Sequence, residues 1–217
     1  MISRDDGSSW GAPLAIDSQL GKAGHAAAGP GRGLELTQGA HRGRLLFIGH
    51  QGAYKSDSVW YTDDGGKTYT PSATILPKMD EAQLVENSNG TIIANMRHTS
   101  SPTTGRAIAT STDGGATFSH ITYDPTLVAS VCQATIIRSA QNEMVYFANP
   151  AMHRGRSHGV VRRSKTGLPG SWDEAVLTVT DGAYGYSCLS DVPQEGKLGL
   201  LWEVDRKIVF SLLPLDF

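Results

Sequence analysis

Apolar residues in this chain come in short runs of roughly five to eight, each ended by glycine, proline, asparagine, aspartate or serine, a pattern that predicts strands rather than helices. "LELT", "RLLFIG" and "SVWYT" lie ahead of position 62. "EAQLVEN", "TIIANMR", "RAIATS" and "HITYD" follow it, then "CQATIIRS", "EMVYFAN", "HGVVRRS" and "AVLTVT", and finally "YSCLS", "LGLLWEV" and "KIVFSLL". No stretch carries the 3.6-residue periodicity of a long amphipathic helix. The glycine-rich tract Gly21 to Gly33 reads as an ordered loop or rim segment.

A repeat organises these runs. "SRDDGSSW" from Ser3, "TDDGGKTY" from Thr62 and "STDGGATF" from Ser111 share one frame of hydroxyl, Asp, Gly, hydroxyl and aromatic, and "SKTGLPGSW" from Ser164 is a longer copy without the Asp. In such a box the aspartate accepts nearby backbone amides, glycine takes a strained turn position and the aromatic plugs the space beneath. The boxes start at 3, 62, 111 and 164, so they are separated by 59, 49 and 53 residues, close to the length of a four-stranded propeller blade. Each unit reads as three strands, a box and a fourth strand. The sequence therefore predicts an all-β, incomplete propeller of three whole blades and parts of two, with an N-terminally truncated start.

One hairpin carries candidate chemistry. In "MDEAQLVENSNGTIIANMR", Ser88-Asn89-Gly90 forms a plausible three-residue loop, and a pairing centred on Asn89 places Glu81 opposite Arg97. Composition narrows the rest. With 217 residues, 19 basic and 21 acidic side chains and no charge runs, the chain is one domain with no sign of nucleic-acid binding. Cys132 and Cys188 lack disulfide-framework or metal-ligand spacing and read as reduced, buried thiols. No apolar run approaches a membrane span, and the polar opening "MISRDDGSSW" is unlike a signal peptide, which leaves the compartment open. "NGT" at Asn89 reads as a hairpin tip before it reads as a glycosylation sequon.

The boxes, followed in order by "MDEAQLVENSNGTIIANMR", "CQATIIR", "RSHG" and "GYSCL", resemble the catalytic domains of exo-α-sialidases over nearly the whole chain. The resemblance implies a six-bladed propeller of which residues 1–217 form the C-terminal two-thirds of the catalytic domain, with sialylated glycans as substrate and neither metal nor cofactor. It also implies roles. Tyr186 would be the nucleophile and Glu81 its proton acceptor; Arg97 and Arg156 would be two of three arginines gripping the substrate carboxylate, and Glu203 would brace the third. The residue types suit the chemistry. A neutral phenol approaches an anomeric carbon that bears a carboxylate without the repulsion an anionic nucleophile meets, and sialidases are a tyrosine exception to the two-carboxylate rule of glycosidases. A phenol of ordinary pKa about 10 needs a neighbouring base, and guanidinium forks match a carboxylate at two points.

Alternatives stay open on the sequence. Glu81 and Arg97 suit a solvated cross-strand ion pair, Tyr184 competes with Tyr186 from the same strand face, and Arg154, Arg162 and Arg163 flank Arg156. His98, His153 and His158 read as surface or rim residues, and Gln133 and Arg138 as strand residues near the cleft. The family's first arginine and its acid/base aspartate are not found; Asp57, Asp63 and Asp80 do not match that loop aspartate. A non-catalytic glycan-binding propeller, or one acting on a different acidic sugar, is the competing reading.

Overall fold

The computed structural model describes residues 1–21, 26–52, 55–98 and 105–217. Its strands form four antiparallel sheets arranged as propeller blades. In the first, β1 (Ala27–Ala28) and β2 (Leu34–Glu35) both pair with β3 (Leu45–Gln51), followed by β4 (Ser56–Thr62) and β5 (Thr70–Pro77). The second runs β6 (Asp80–Glu86), β7 (Ile92–Arg97), β8 (Arg106–Ser111) and β9 (Thr122–Asp124). The third runs β10 (Thr135–Arg138), β11 (Val145–Pro150), β12 (Ser157–Ser164) and β13 (Trp172–Ala183). The last has β14 (Ser187–Val192), β15 (Lys197–Val204) and β16 (Lys207–Leu213). The single α-helical element among the described residues is one turn, α1 (Asp17–Leu20).

Apolar alternation glues the blades face to face. Leu46, Ile48 and Val59 of the first sheet meet Leu84, Ile92 and Met96 of the second. Val85, Ile93 and Ile108 meet Ile136 and Phe147 of the third, and Ile137, Tyr146 and Val161 meet Leu189, Leu198 and Leu200 of the fourth. Leu46, Ile92 and Met96 are fully buried, each contributing about 1.5–3 kcal/mol.

The boxes from Thr62, Ser111 and Ser164 lie at the turn from third to fourth strand, and the box from Ser111 works as the sequence predicts. Asp113 accepts the Thr117 backbone N–H at 3.0 Å and the Ser111 hydroxyl at 2.7 Å, while Gly115 N–H donates to Ser111 Oγ at 2.9 Å. Phe118 is buried beneath. The box from Ser3 departs from this pattern, because its Trp10 is 61% exposed and plugs nothing. In the copy from Ser164, which lacks the Asp, Trp172 donates its indole N–H to Asp124 of the neighbouring blade at 2.7 Å. Asp113→Ala is expected to cost about 1–2 kcal/mol, read as a lowered urea midpoint with an unchanged slope, because it strips several backbone and hydroxyl donors of their acceptor.

Antiparallel order has one further consequence. The starts of first and third strands and the ends of second strands share one end of each blade, opposite the boxes. Glu81, Arg97, Arg106, Tyr186 and Glu203, together with Arg156 just ahead of β12, all fall at that end.

Candidate active site

The hairpin forms as expected at its tip. Asn87 N–H donates to Thr91 O at 3.0 Å, and Gly90 takes φ +84°, the left-handed residue that closes the loop. At its open end the register differs from the sequence expectation. Asp80, not Glu81, pairs with Arg97, and Ala82 pairs with Met96, so Glu81 is the extra residue of a β-bulge. A bulge re-aims a side chain where regular alternation would not. Glu81 thereby reaches both Arg97, whose Nη1 donates to Oε2, and Tyr186, whose hydroxyl donates to Oε1. Arg97 Nη1 also lies 3.5 Å from the Tyr186 hydroxyl.

Tyr186 is placed by its backbone. It precedes β14 in a segment outside any strand, where Gly185 N–H donates to Glu203 O at 2.9 Å and Glu203 N–H returns to Tyr186 O at 2.9 Å. The Glu203 carboxylate accepts the Tyr186 N–H at 3.1 Å. A Cβ at residue 185 would sit 2.6 Å from that carboxylate, so glycine leaves it the room it needs. On the other side Gln133 clamps Ser187, donating to its carbonyl at 2.9 Å and accepting its N–H at 3.0 Å. Gln133 is thus a buried strut between blades, and Arg138 works at the far end, donating to the Glu86 carbonyl at 2.9 Å.

The structure separates the rival residues. Tyr184 is wholly buried and stacked on Trp202 with centroids 5.3 Å apart, and burial pushes its hydroxyl pKa up. It is core. The same-face argument for the two tyrosines fails because the backbone between them is not a strand. Arg163 donates to Asp173 at 2.8 Å, whereas Arg156 holds its guanidinium 5.1 Å from the Tyr186 ring centroid. Asp63 pairs with Arg44 at 2.8 Å near a box. His98 is buried rather than on the rim, with Nε2 2.6 Å from Gly105 O. Cys132 is buried as expected, while Cys188 is only half-buried.

Electrostatics reinforce the cluster. Burial, then the hydrogen bond and negative charge of Glu81, push the Tyr186 phenol up to about 12, against the pull of Arg97 and Arg156. The phenol is therefore protonated at neutral pH and donates to Glu81. Two neighbouring ionisable groups are buried where sequence reading did not expect burial. Arg106 is 0% exposed, donates to Asn95 at 2.8 Å, and is lowered by burial to about 10. Asp57 is also 0% exposed, with neither oxygen hydrogen-bonded among the described residues; burial and then the charge of Asp80 push its carboxyl up to about 9. The one signal for Arg106 was its place at the head of an otherwise apolar run. Among the described residues, no group of three or more His, Cys, Asp or Glu side chains is arranged to hold a metal ion, and no helix is long and apolar enough to cross a membrane.

The BNR repeat-like domain matches residues 1–200. The chain belongs to the BNR repeat-like family. Within that family it is similar to a sialidase of Micromonospora viridifaciens, 35% identical over 196 residues that make up 85% of this chain and 30% of the relative. A sialidase of Bacteroides fragilis is 30% identical over 211 residues, 93% of this chain and 38% of that protein. Among solved structures, a Hadza microbial sialidase superposes with a TM-score of 0.81 at 27% identity, over 98% of this chain and 43% of that one. The BNR repeat-like chain thus spans about a third of the length of these curated relatives, and the all-β propeller expected from the boxes is the fold it has.

Proposed function

We propose that this BNR repeat-like chain carries the nucleophilic half of a retaining exo-α-sialidase site. The contact that carries the reading is the Tyr186 hydroxyl donating to Glu81 while Arg97 bonds the other oxygen of the same carboxylate. In the proposed reaction the Tyr186 oxygen attacks the anomeric carbon of a terminal sialic acid as its proton passes to Glu81. The glycosidic bond breaks, and the departing oxygen takes its proton from an acid outside this set. Water, giving up a proton to the conjugate base of that outside acid, then displaces Tyr186 from the sugar, and the proton held by Glu81 returns to the phenolate. Arg97 and Arg156 would take the substrate carboxylate, both lying against Tyr186. Glu203, which the resemblance makes the brace of a third arginine, also accepts the Tyr186 backbone N–H.

The relatives named as sialidases support this reading, and so does the placing of phenol, base and guanidinium together. An α-sialosyl fluoride tests it without calling on an acid, because fluoride leaves unprotonated. Proton NMR should show the α-anomer of free sialic acid forming first, with the rate lost in Tyr186→Phe. Fluoride release unchanged by Tyr186→Phe, or a β-anomer formed first, overturns the mechanism. Binding without release leaves the glycan-binding propeller as the better account.

A further inference from the structure

Two adjacent carboxylates leave the start of β6 for different destinations. Glu81 reaches the last blade at Tyr186. Asp80 reaches back to the first blade, where its Oδ1 lies 3.1 Å from Nδ1 of His50, near the end of β3. Asp80 is 7% exposed and sits opposite Arg97 in the sheet register, on one side of the bulge. Regular pairing from Ala82 and Met96 onward would set Glu81 opposite Arg97, a one-residue difference that changes the direction of the side chain. A bulge leaves one residue out of the ladder, so the ladder's own hydrogen bonds do not fix that residue.

We propose that the His50–Asp80 contact holds it instead: a clasp across the seam of the first two blades that fixes the bulge and so aims Glu81 at Tyr186, making His50 and Asp80 positioning residues. His50 pairs in register with Asp57, so three titratable side chains share the seam, with Arg106 near enough to act on Asp57 electrostatically. Because Asp57 is held neutral there, Asp80 does not face a second negative charge beside the imidazole.

The clasp itself is tested without any substrate. The ¹³Cζ resonance of Tyr186, assigned by its loss in Tyr186→Phe, reports at neutral pH the phenol's hydrogen bond to Glu81. Asp80→Ala and His50→Gln should each move it in the direction that Glu81→Gln moves it, and Asp80→Asn, which keeps an acceptor for His50, should restore it. If Asp80→Ala does not fold, His50→Gln decides. A Tyr186 resonance at its original position in either folded variant overturns the clasp. A second arm rests on the proposed function: with the sialosyl fluoride, Asp80→Ala should lower kcat at least tenfold with KM within threefold, and a fall in kcat and KM matched only by lost stability would contradict it. If the unaltered chain releases no fluoride, the sialidase reading fails while the NMR result still judges the clasp.

Discussion

Glu81→Gln is expected to slow attack on an α-sialosyl fluoride by about 100- to 10,000-fold, the range that a positioned proton acceptor contributes. The amide keeps the size of the side chain and can still accept from Tyr186, but it cannot take the phenol's proton. With the acceptor disabled, the reaction must expel a proton from a phenol that burial still disfavours ionising and that has no base in contact to take it. The loss should appear mainly in kcat, because the arginines that would grip the substrate carboxylate remain. The charge and hydrogen bond of Glu81 are causes of the raised phenol pKa, so the same variant should titrate Tyr186 at lower pH. A rate within threefold of the original would remove Glu81 from the mechanism.

Asp57→Asn is expected to stabilise the fold, and increasingly so as pH rises. The sign follows from where the proton sits. Folding raises the Asp57 pKa from 3.8 to about 9, so across that window the folded chain keeps a proton that the unfolded chain has lost. Stability therefore falls as pH rises through the window and levels off above it, by up to about 1.4 kcal/mol per pH unit if the carboxyl behaves alone. Asparagine has no such proton. Urea unfolding at pH 5, 6, 7 and 8 should show the advantage of the variant growing with pH, whereas two parallel stability curves would show that Asp57 is ionised in the fold.

These residues also mark the limits of the sequence. The blades were legible because strands of alternating apolar residues and the boxes repeat at blade spacing, and the hairpin was legible because Asn89-Gly90 announces its tip. β5 escaped, since "TPSATILP" mixes prolines and small residues, and β1 escaped because two alanines carry no alternation. The bulge was invisible for a deeper reason: Asp80-Glu81-Ala82 fits regular pairing equally well, and the choice is made by His50 from another blade. Burial of Asp57 and Arg106 ran against the expectation that charges face water. The convergence of Tyr186 with Glu81 joins residues 105 positions apart, a contact that only blade packing supplies.

The most direct measurement is covalent trapping. A sialosyl fluoride carrying a second, electron-withdrawing fluorine at C3 forms the sugar–enzyme bond faster than water breaks it, and peptide mass spectrometry then locates the bond. The account predicts one sialosyl adduct on the peptide containing Tyr186, absent from Tyr186→Phe and reduced in Glu81→Gln. An adduct on any other residue, or none while fluoride is released, would contradict it.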